Sequence, residues 1–424
     1  MSPIHRLIIA SGLTNLGDGI MVLAWAWVAS LLTRDPLLVA LVPAAVRVPW
    51  LLLALAAGVM TDRLDRRALM ASADGVRTVA FALLALAVWV TGPLPEPPAT
   101  GVSVPALGGI LVLTALVVGC AEVVRDSAAG TMVPNLVPSS QLEKANGQIA
   151  SVETVGNDLA GPALGAFLVA AAVAAPFVVG AGLYMLGGVL VLGLAGQFRA
   201  PPRPRASMRR DLAEGLAFLR TEPLLMKLVW ITATWNLFAE MALVGLVLHG
   251  QENLDLTAPE YGVVLALGAL GGVLGGWLAD GAVTRWGPGR VAQFGSIIGV
   301  PVFLAIAFAQ GPGLVALGLF LFGLGGVLWN AVSTSYRQRR LPNALRGRVG
   351  AIYRLASFGA APLGMVLSGV LVRWGEAIVG RPLALLLPFG VAALGMAVLN
   401  ALIWRQIGTG FAVSRNCPPP DHTT

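Results

Sequence analysis

Long apolar stretches, separated by short polar ones, run from one end of the chain to the other, and they constrain it more than any other feature. A bilayer core about 30 Å thick is crossed by about 20 apolar residues at 1.5 Å each. Twelve stretches qualify, at residues 7–32, 37–60, 68–92, 107–126, 146–170, 174–196, 224–248, 260–281, 290–309, 313–334, 349–372 and 383–404. Within lipid every backbone N–H and C=O must be paired inside the protein, so such stretches imply helices. The sequence therefore predicts an all-α integral membrane protein. Composition agrees, since 12% of the 424 residues are charged, about half the share of a soluble domain.

Several chemistries are absent from the pattern. Cys120 lies in an apolar run and Cys417 in a polar tail, which makes no disulfide framework or metal cluster. His5, His249 and His422 are far apart, and no Ser-His-Asp arrangement argues for an enzyme. No Gly-x-x-x-x-Gly-Lys-Ser/Thr loop occurs, so ATP is not expected to drive the protein directly. The net charge of +7 could suggest nucleic acid, but the arginines lie in short clusters between apolar stretches rather than along one basic face. Neither a cofactor nor a nucleic-acid partner is expected.

Those clusters instead set the orientation. With the N-terminus cytoplasmic, twenty of the 28 basic residues fall on the cytoplasmic side, and Arg34, Arg373 and Arg381 alone on the other. Both termini are thus expected in the cytoplasm, with the chain as a multi-pass protein of the inner membrane. A polar stretch divides the spans six and six. The expected organisation is an N-terminal half at 1–196, a cytoplasmic linker at 197–223, a C-terminal half at 224–408 and a disordered tail at 409–424. Within the linker, residues 211–220 place Leu212, Leu216 and Leu219 on one stripe, the pattern of a helix lying on the membrane surface.

The two halves repeat in sequence. Residues 119–126 align with 323–330, Val137-Pro138 with Leu341-Pro342, and Gly58-x-x-x-Asp62 recurs as Gly276-x-x-x-Asp280. Two six-helix pseudo-repeats in the same sense place a binding site near the midplane between them, served by rocking one half against the other. The expected fold is therefore twelve transmembrane helices around a central cavity.

The run Gly58-Val-Met-Thr-Asp62-Arg63-Leu-Asp-Arg66-Arg67 resembles the signature loop between spans two and three of the major facilitator superfamily, with Asp65 where a glycine is usual. Asn15-Leu-Gly-Asp18, Asp74-x-x-Arg77, Gly161-Pro162-x-x-Gly165 and Leu345-Arg-Gly-Arg348 look like its branch of enterobactin-type and macrolide- or tetracycline-efflux exporters. The resemblance implies that Gly58, Asp62, Arg63, Arg66 and Arg67 form a charge latch that breaks as the halves rock. It further implies that Gly156, Gly161, Pro162 and Gly165 form the span-five motif of antiporters. That motif has three residues between its second glycine and Gly-Pro, whereas this chain has four, Asn157 to Ala160.

Ionisable residues within spans are costly and mark cavities or partners. Asp18 lies roughly 17 Å into span one, Asp158 roughly 18 Å into span five and Arg47 roughly 15 Å into span two. Taking a carboxylate out of water favours its neutral form, so Asp18 and then Asp158 are the candidates for a coupled proton, with Arg47 or the substrate as the cation that steadies an ionised Asp18. Asn15, Trp25, Asn236, Glu240, Trp329 and Asn330 are candidates for the lining of a substrate cavity. The function expected is proton-coupled efflux of a drug, antibiotic or other amphipathic secondary metabolite by a monomer whose partners are that small molecule, protons and the lipid bilayer. A siderophore exporter and a nutrient importer of the same fold are the alternatives.

Overall fold

A computed structural model describes residues 2–196, 198–199, 208–341 and 346–413. Among the described residues, eleven helical stretches are long and apolar enough to cross a membrane. The first four spans are α1 (Pro3–Leu32), α2 (Pro36–Arg63), α3 (Arg66–Thr91) and α4 (Pro105–Ala129). Proline opens α2 and α4, where its missing N–H costs nothing. Asp35 caps α2 by accepting from the Leu37 N–H, and Asp65 caps α3 by accepting from the Ala68 N–H, each at 3.0 Å. Asp65, the departure from the family signature, is thus what starts the third span.

Span five departs from a single regular helix. It runs as α5 (Leu142–Thr154), a π-helical segment (Val155–Ala160) and α6 (Gly161–Ala171), one directly after another. Then come α7 (Ala175–Leu192), α8 (Met208–Thr221) in the linker, α9 (Pro223–Glu252) and α10 (Ala258–Trp286). The next span, Pro288–Ala307, consists of α11 (Pro288–Ile297) and α12 (Gly299–Ala307). The last are α13 (Pro312–Arg340), α14 (Arg346–Val379), and α15 (Arg381–Ala384) leading into α16 (Leu387–Val413). The helix α16 continues to Val413, past the boundary expected at residue 408. Residues 200–207 of the linker and 414–424 of the tail lie outside the described residues. The linker helix packs on α14 and α9, and its Leu219 is buried in the core there rather than turned to a membrane surface.

The sequence repeat is also a packing repeat. Span one packs against span five and span seven against eleven; two against four and eight against ten; three against six and nine against twelve. Each set of partners forms a bundle. Between the bundles, α2 meets α14, and α6 with the π segment meets α10. Trp89 and Trp374 are exposed near the helix ends of one face and Trp230 and Trp286 near those of the other, as interfacial anchors are, while the exposed Trp277 and Trp404 stand further along α10 and α16.

The bundles close on each other at the end remote from both termini. A Cβ added at Gly369 of α14 would lie 2.5 Å from Leu37 Cα, and one at Gly262 of α10 would strike Ala166 of α6. Toward the terminus-bearing end the α2–α14 contact runs out. Past Leu51, Leu52 and Met60 are exposed, and a Cβ at Gly58 would meet nothing within 4 Å. Gly58 therefore supports no close helix approach in this conformation.

Candidate functional site

Charged side chains stand at mid-depth where the bundles part. Asp18 of α1 is engaged by the guanidinium of Arg77 on α3 and accepts a hydrogen bond from the Tyr184 hydroxyl of α7 at 2.8 Å. Gly17 makes this possible, since a Cβ there would lie 2.8 Å from the Tyr184 ring. Arg77 is fully buried, lies 4.1 Å over the Tyr184 ring and stands 3.7 Å from Asp74. Arg125 of α4 stands 3.8 Å from Asp74 and 3.3 Å from Asp126. A chain of alternating charges thus runs inside the first bundle from Asp18 to Asp126. Breaking one such buried pair by removing a partner costs about 3–5 kcal/mol, because it strands the other charge.

The partner expected for Asp18 is corrected by this arrangement. Arg47 pairs instead with Glu122 of α4 at 3.6 Å. Gly119, one turn earlier, allows it, because a Cβ there would strike the Val46 carbonyl and hold α4 away from α2. Trp50 also donates to Glu122 at 3.3 Å. Across the opening, Glu240 of α9 is half-buried within the field of Arg47, with Asn236 one turn before it. Asp158 is exposed, and Arg47 is the charge that acts on it. Neither Asp158 nor Glu240 has a hydrogen bond or ion pair among the described residues.

Three of the cavity candidates are occupied with packing. Trp25 is buried between Phe81 and Phe177, with ring centroids 5.6 and 6.1 Å away. Trp329 is 2% exposed within the core of the second bundle. Asn15 is buried and accepts from the Asn157 side chain at 2.7 Å, which clamps α1 to the π segment of span five. A large ring or an amide at mid-span reads alike whether it packs or lines a cavity, and here the neighbouring helix claims it. Asn330 is exposed on α13.

Around the signature loop, the basic residues bind helix ends of their own bundle. Arg66 donates to the Thr131 carbonyl after α4 at 3.1 Å, and Arg67 to the Leu194 carbonyl after α7 at 2.8 Å. Both satisfy carbonyls that a helix terminus leaves open. Arg63 is exposed. The side chain of Asp62 lies outside the described residues, as do those of Arg346 and Arg348.

A second polar site lies at the closed end. Arg34 donates to Gln251 Oε1 at 2.5 Å and stands 3.7 Å from Glu252, while Gln251 donates to the Ser30 hydroxyl at 2.8 Å. Arg381 grips Glu252 with two bonds of 2.6 and 2.8 Å, and donates to the Arg34 carbonyl at 2.6 Å. Arg373 stands 3.5 Å from Asp35. This clasp was not anticipated as a site. Its signal was nevertheless in the charge count: Arg34, Arg373 and Arg381 are the three exceptions to the orientation bias, and all three serve the clasp.

Two apolar helical bundles, joined at one end and parted at the other around mid-depth charges, define a transporter rather than an enzyme. The chain belongs to the major facilitator superfamily, whose family model matches residues 7–365. It is similar to the multidrug efflux pump Tap of Mycolicibacterium fortuitum, with 26% identity over 416 residues, covering 94% of this chain and 97% of that protein. Among solved structures, a bacterial homologue of the lysosomal transporter Spinster, inward-facing and unoccupied, superposes with a TM-score of 0.73 at 12% identity, over 98% of both chains. An inward-facing bacterial homologue of the iron transporter ferroportin gives 0.71 at 16% identity, over 96% of this chain and 98% of that one.

Proposed function

We propose that this transporter exports a drug, antibiotic or other amphipathic secondary metabolite in exchange for protons, working as a monomer in the inner membrane. The terminus-bearing end is then cytoplasmic, and the interrupted span five provides the twelfth crossing. The conformation is the one that loads from the cytoplasm, since the bundles are clasped on the far side. One observation carries the reading: the opening is bordered at mid-depth by Arg47, Glu122, Asp158 and Glu240, and two of these carboxylates have no protein partner among the described residues. Unpaired carboxylates facing a hydrated opening suit an exchange between a proton and a cationic group. That its relatives include the multidrug efflux pump Tap points the same way.

The latch belongs to the same cycle. With the cytoplasmic ends apart, Arg63 is exposed, and Arg66 and Arg67 bind carbonyls of their own bundle. Closing that end brings the loop against α14 and gives Asp62 and Arg63 a partner there. The test is ethidium transport in inverted membrane vesicles energised by a proton gradient. Accumulation that collapses when the gradient is dissipated supports the reading, and gradient-independent equilibration would remove the proton from it.

A further inference from the structure

Span five carries one residue more than its packing needs. Its contacts with α1 come from Val152 against Gly12, Gly156 against Asn15 and Leu16, Gly161 against Gly19, and Gly165 against Ile20. The steps between these positions are four, five and four residues. A regular helix with 3.6 residues per turn repeats such contacts every three or four residues. The step of five coincides with the π segment, where the Gly161 N–H bonds back five residues to the Gly156 carbonyl. Such single π turns inside helices occur frequently at functional sites. The same stretch, Asn157 to Ala160, holds four residues where the family spacing has three.

The turn divides its polar residues between two surroundings. Asn157 reaches back to α1 and clamps Asn15 at 2.7 Å, while Asp158 is left exposed and without a partner among the described residues. The glycine face cannot yield, because a Cβ at Gly161 would lie 2.5 Å from Gly19 Cα. Few charges reach Asp158. Arg47 of α2, in the same bundle, acts on it. From α1 comes Asp18, which Arg77 and Tyr184 already hold. The charged residues of α10, Glu260, Asp280 and Arg285, lie toward the ends of that helix, and span five itself adds Glu153, with Glu143 and Lys144 at the far end of α5.

We infer that the additional residue is a positioning device, which widens one turn of span five so that the glycine face stays on α1 while the Asp158 carboxylate is presented to the cavity as the group that carries the coupled proton. This rests on the efflux reading above and moves the proton from Asp18, the first candidate from sequence, to Asp158. A carboxylate fixed by a buried arginine and a tyrosine is held in one state. One that meets only water, a distant arginine and the passing substrate is free to exchange its proton for a cation.

Deleting Leu159 tests the device. The deletion restores steps of four, four and four, so the same side chains still meet α1, but the wide turn is gone. In proteoliposomes, ethidium export driven by an imposed pH gradient should fall about tenfold or more, while ethidium exchange at equal pH on both sides persists. The Asp158→Asn variant should behave likewise, and infrared difference spectra between acid and alkaline pH should lose one component of the protonated-carboxyl band relative to the unaltered protein. If the band of Asp158→Asn is identical to that of the unaltered protein, the proton sits elsewhere and the inference fails, whether or not the deletion variant folds. A deletion variant that exports at the unaltered rate would equally overturn the positioning role. Failure of the efflux reading looks different: the unaltered protein would then move no ethidium under the gradient, although the Asp158 carboxyl band still titrates.

Discussion

Replacing Arg34 by alanine weakens the clasp between the bundles without touching the cavity. The side chain contributes one hydrogen bond across the interface, to Gln251 at 2.5 Å, and one looser ion pair, to Glu252 at 3.7 Å. A hydrogen bond involving a charged group is worth about 1.5–3 kcal/mol net, while an exposed ion pair contributes about 0–1 kcal/mol. The Arg34 side chain is 30% exposed, so water replaces part of what is lost. The backbone carbonyl of Arg34 still receives Arg381, and Arg373 still faces Asp35. The net loss is therefore about 1–2 kcal/mol, which moves a two-state equilibrium by a factor of about 5–30. Spin labels placed near Gly101 and Leu383, at the clasped end, report the separation of the bundles as a distance distribution. Arg34→Ala should raise the open fraction at that end by this factor, and Gln251→Ala should raise it by a comparable amount. An unchanged distribution would mean that the apolar contacts of α2 with α14 hold the end shut by themselves.

Three further perturbations separate packing from function. Asp18→Asn strands the fully buried Arg77 guanidinium and should cost about 3 kcal/mol of stability, read as a lower melting temperature in detergent; an unchanged melting temperature would show that the pair is not held in this way. Gly19→Ala drives a Cβ into the Gly156 carbonyl, whereas Gly58→Ala adds one to open space, so the first should reduce the folded yield and the second should not. Equal yields would contradict the span-one to span-five packing. Asp62→Asn should leave membrane abundance normal and slow ethidium efflux severely, and full efflux at normal abundance would remove Asp62 from the latch.

Much of the architecture was legible because lipid leaves a backbone so few options. The helical spans follow from where apolar residues run out, and the pairing of the two bundles matches the motifs that recur between the two halves. The interruption of span five was visible as a spacing, four residues instead of three before Gly161-Pro162, yet a spacing alone does not say whether a helix slips, kinks or widens. Side-chain partners were less legible. Asp18 and Arg47 share a depth, but depth does not fix azimuth, and Arg77 on α3 is on the side of α1 that Asp18 faces. Trp25 and Trp329 were ambiguous for a related reason, since an indole in an apolar run packs or lines according to neighbours that its own helix does not specify. The clasp was the clearest missed signal, because each of its three arginines stands on the face that otherwise carries none.

The central claim, that substrate and proton exchange through one opening between the bundles, is tested most directly by watching protons when only substrate is supplied. Purified protein in liposomes with a trapped pH indicator, at equal pH and with the membrane potential clamped, receives an inward ethidium gradient. The account predicts that entering ethidium drives protons out, so the lumen becomes alkaline, and that the signal vanishes in Asp158→Asn while ethidium exchange remains. Ethidium entry with no change in lumenal pH would contradict it.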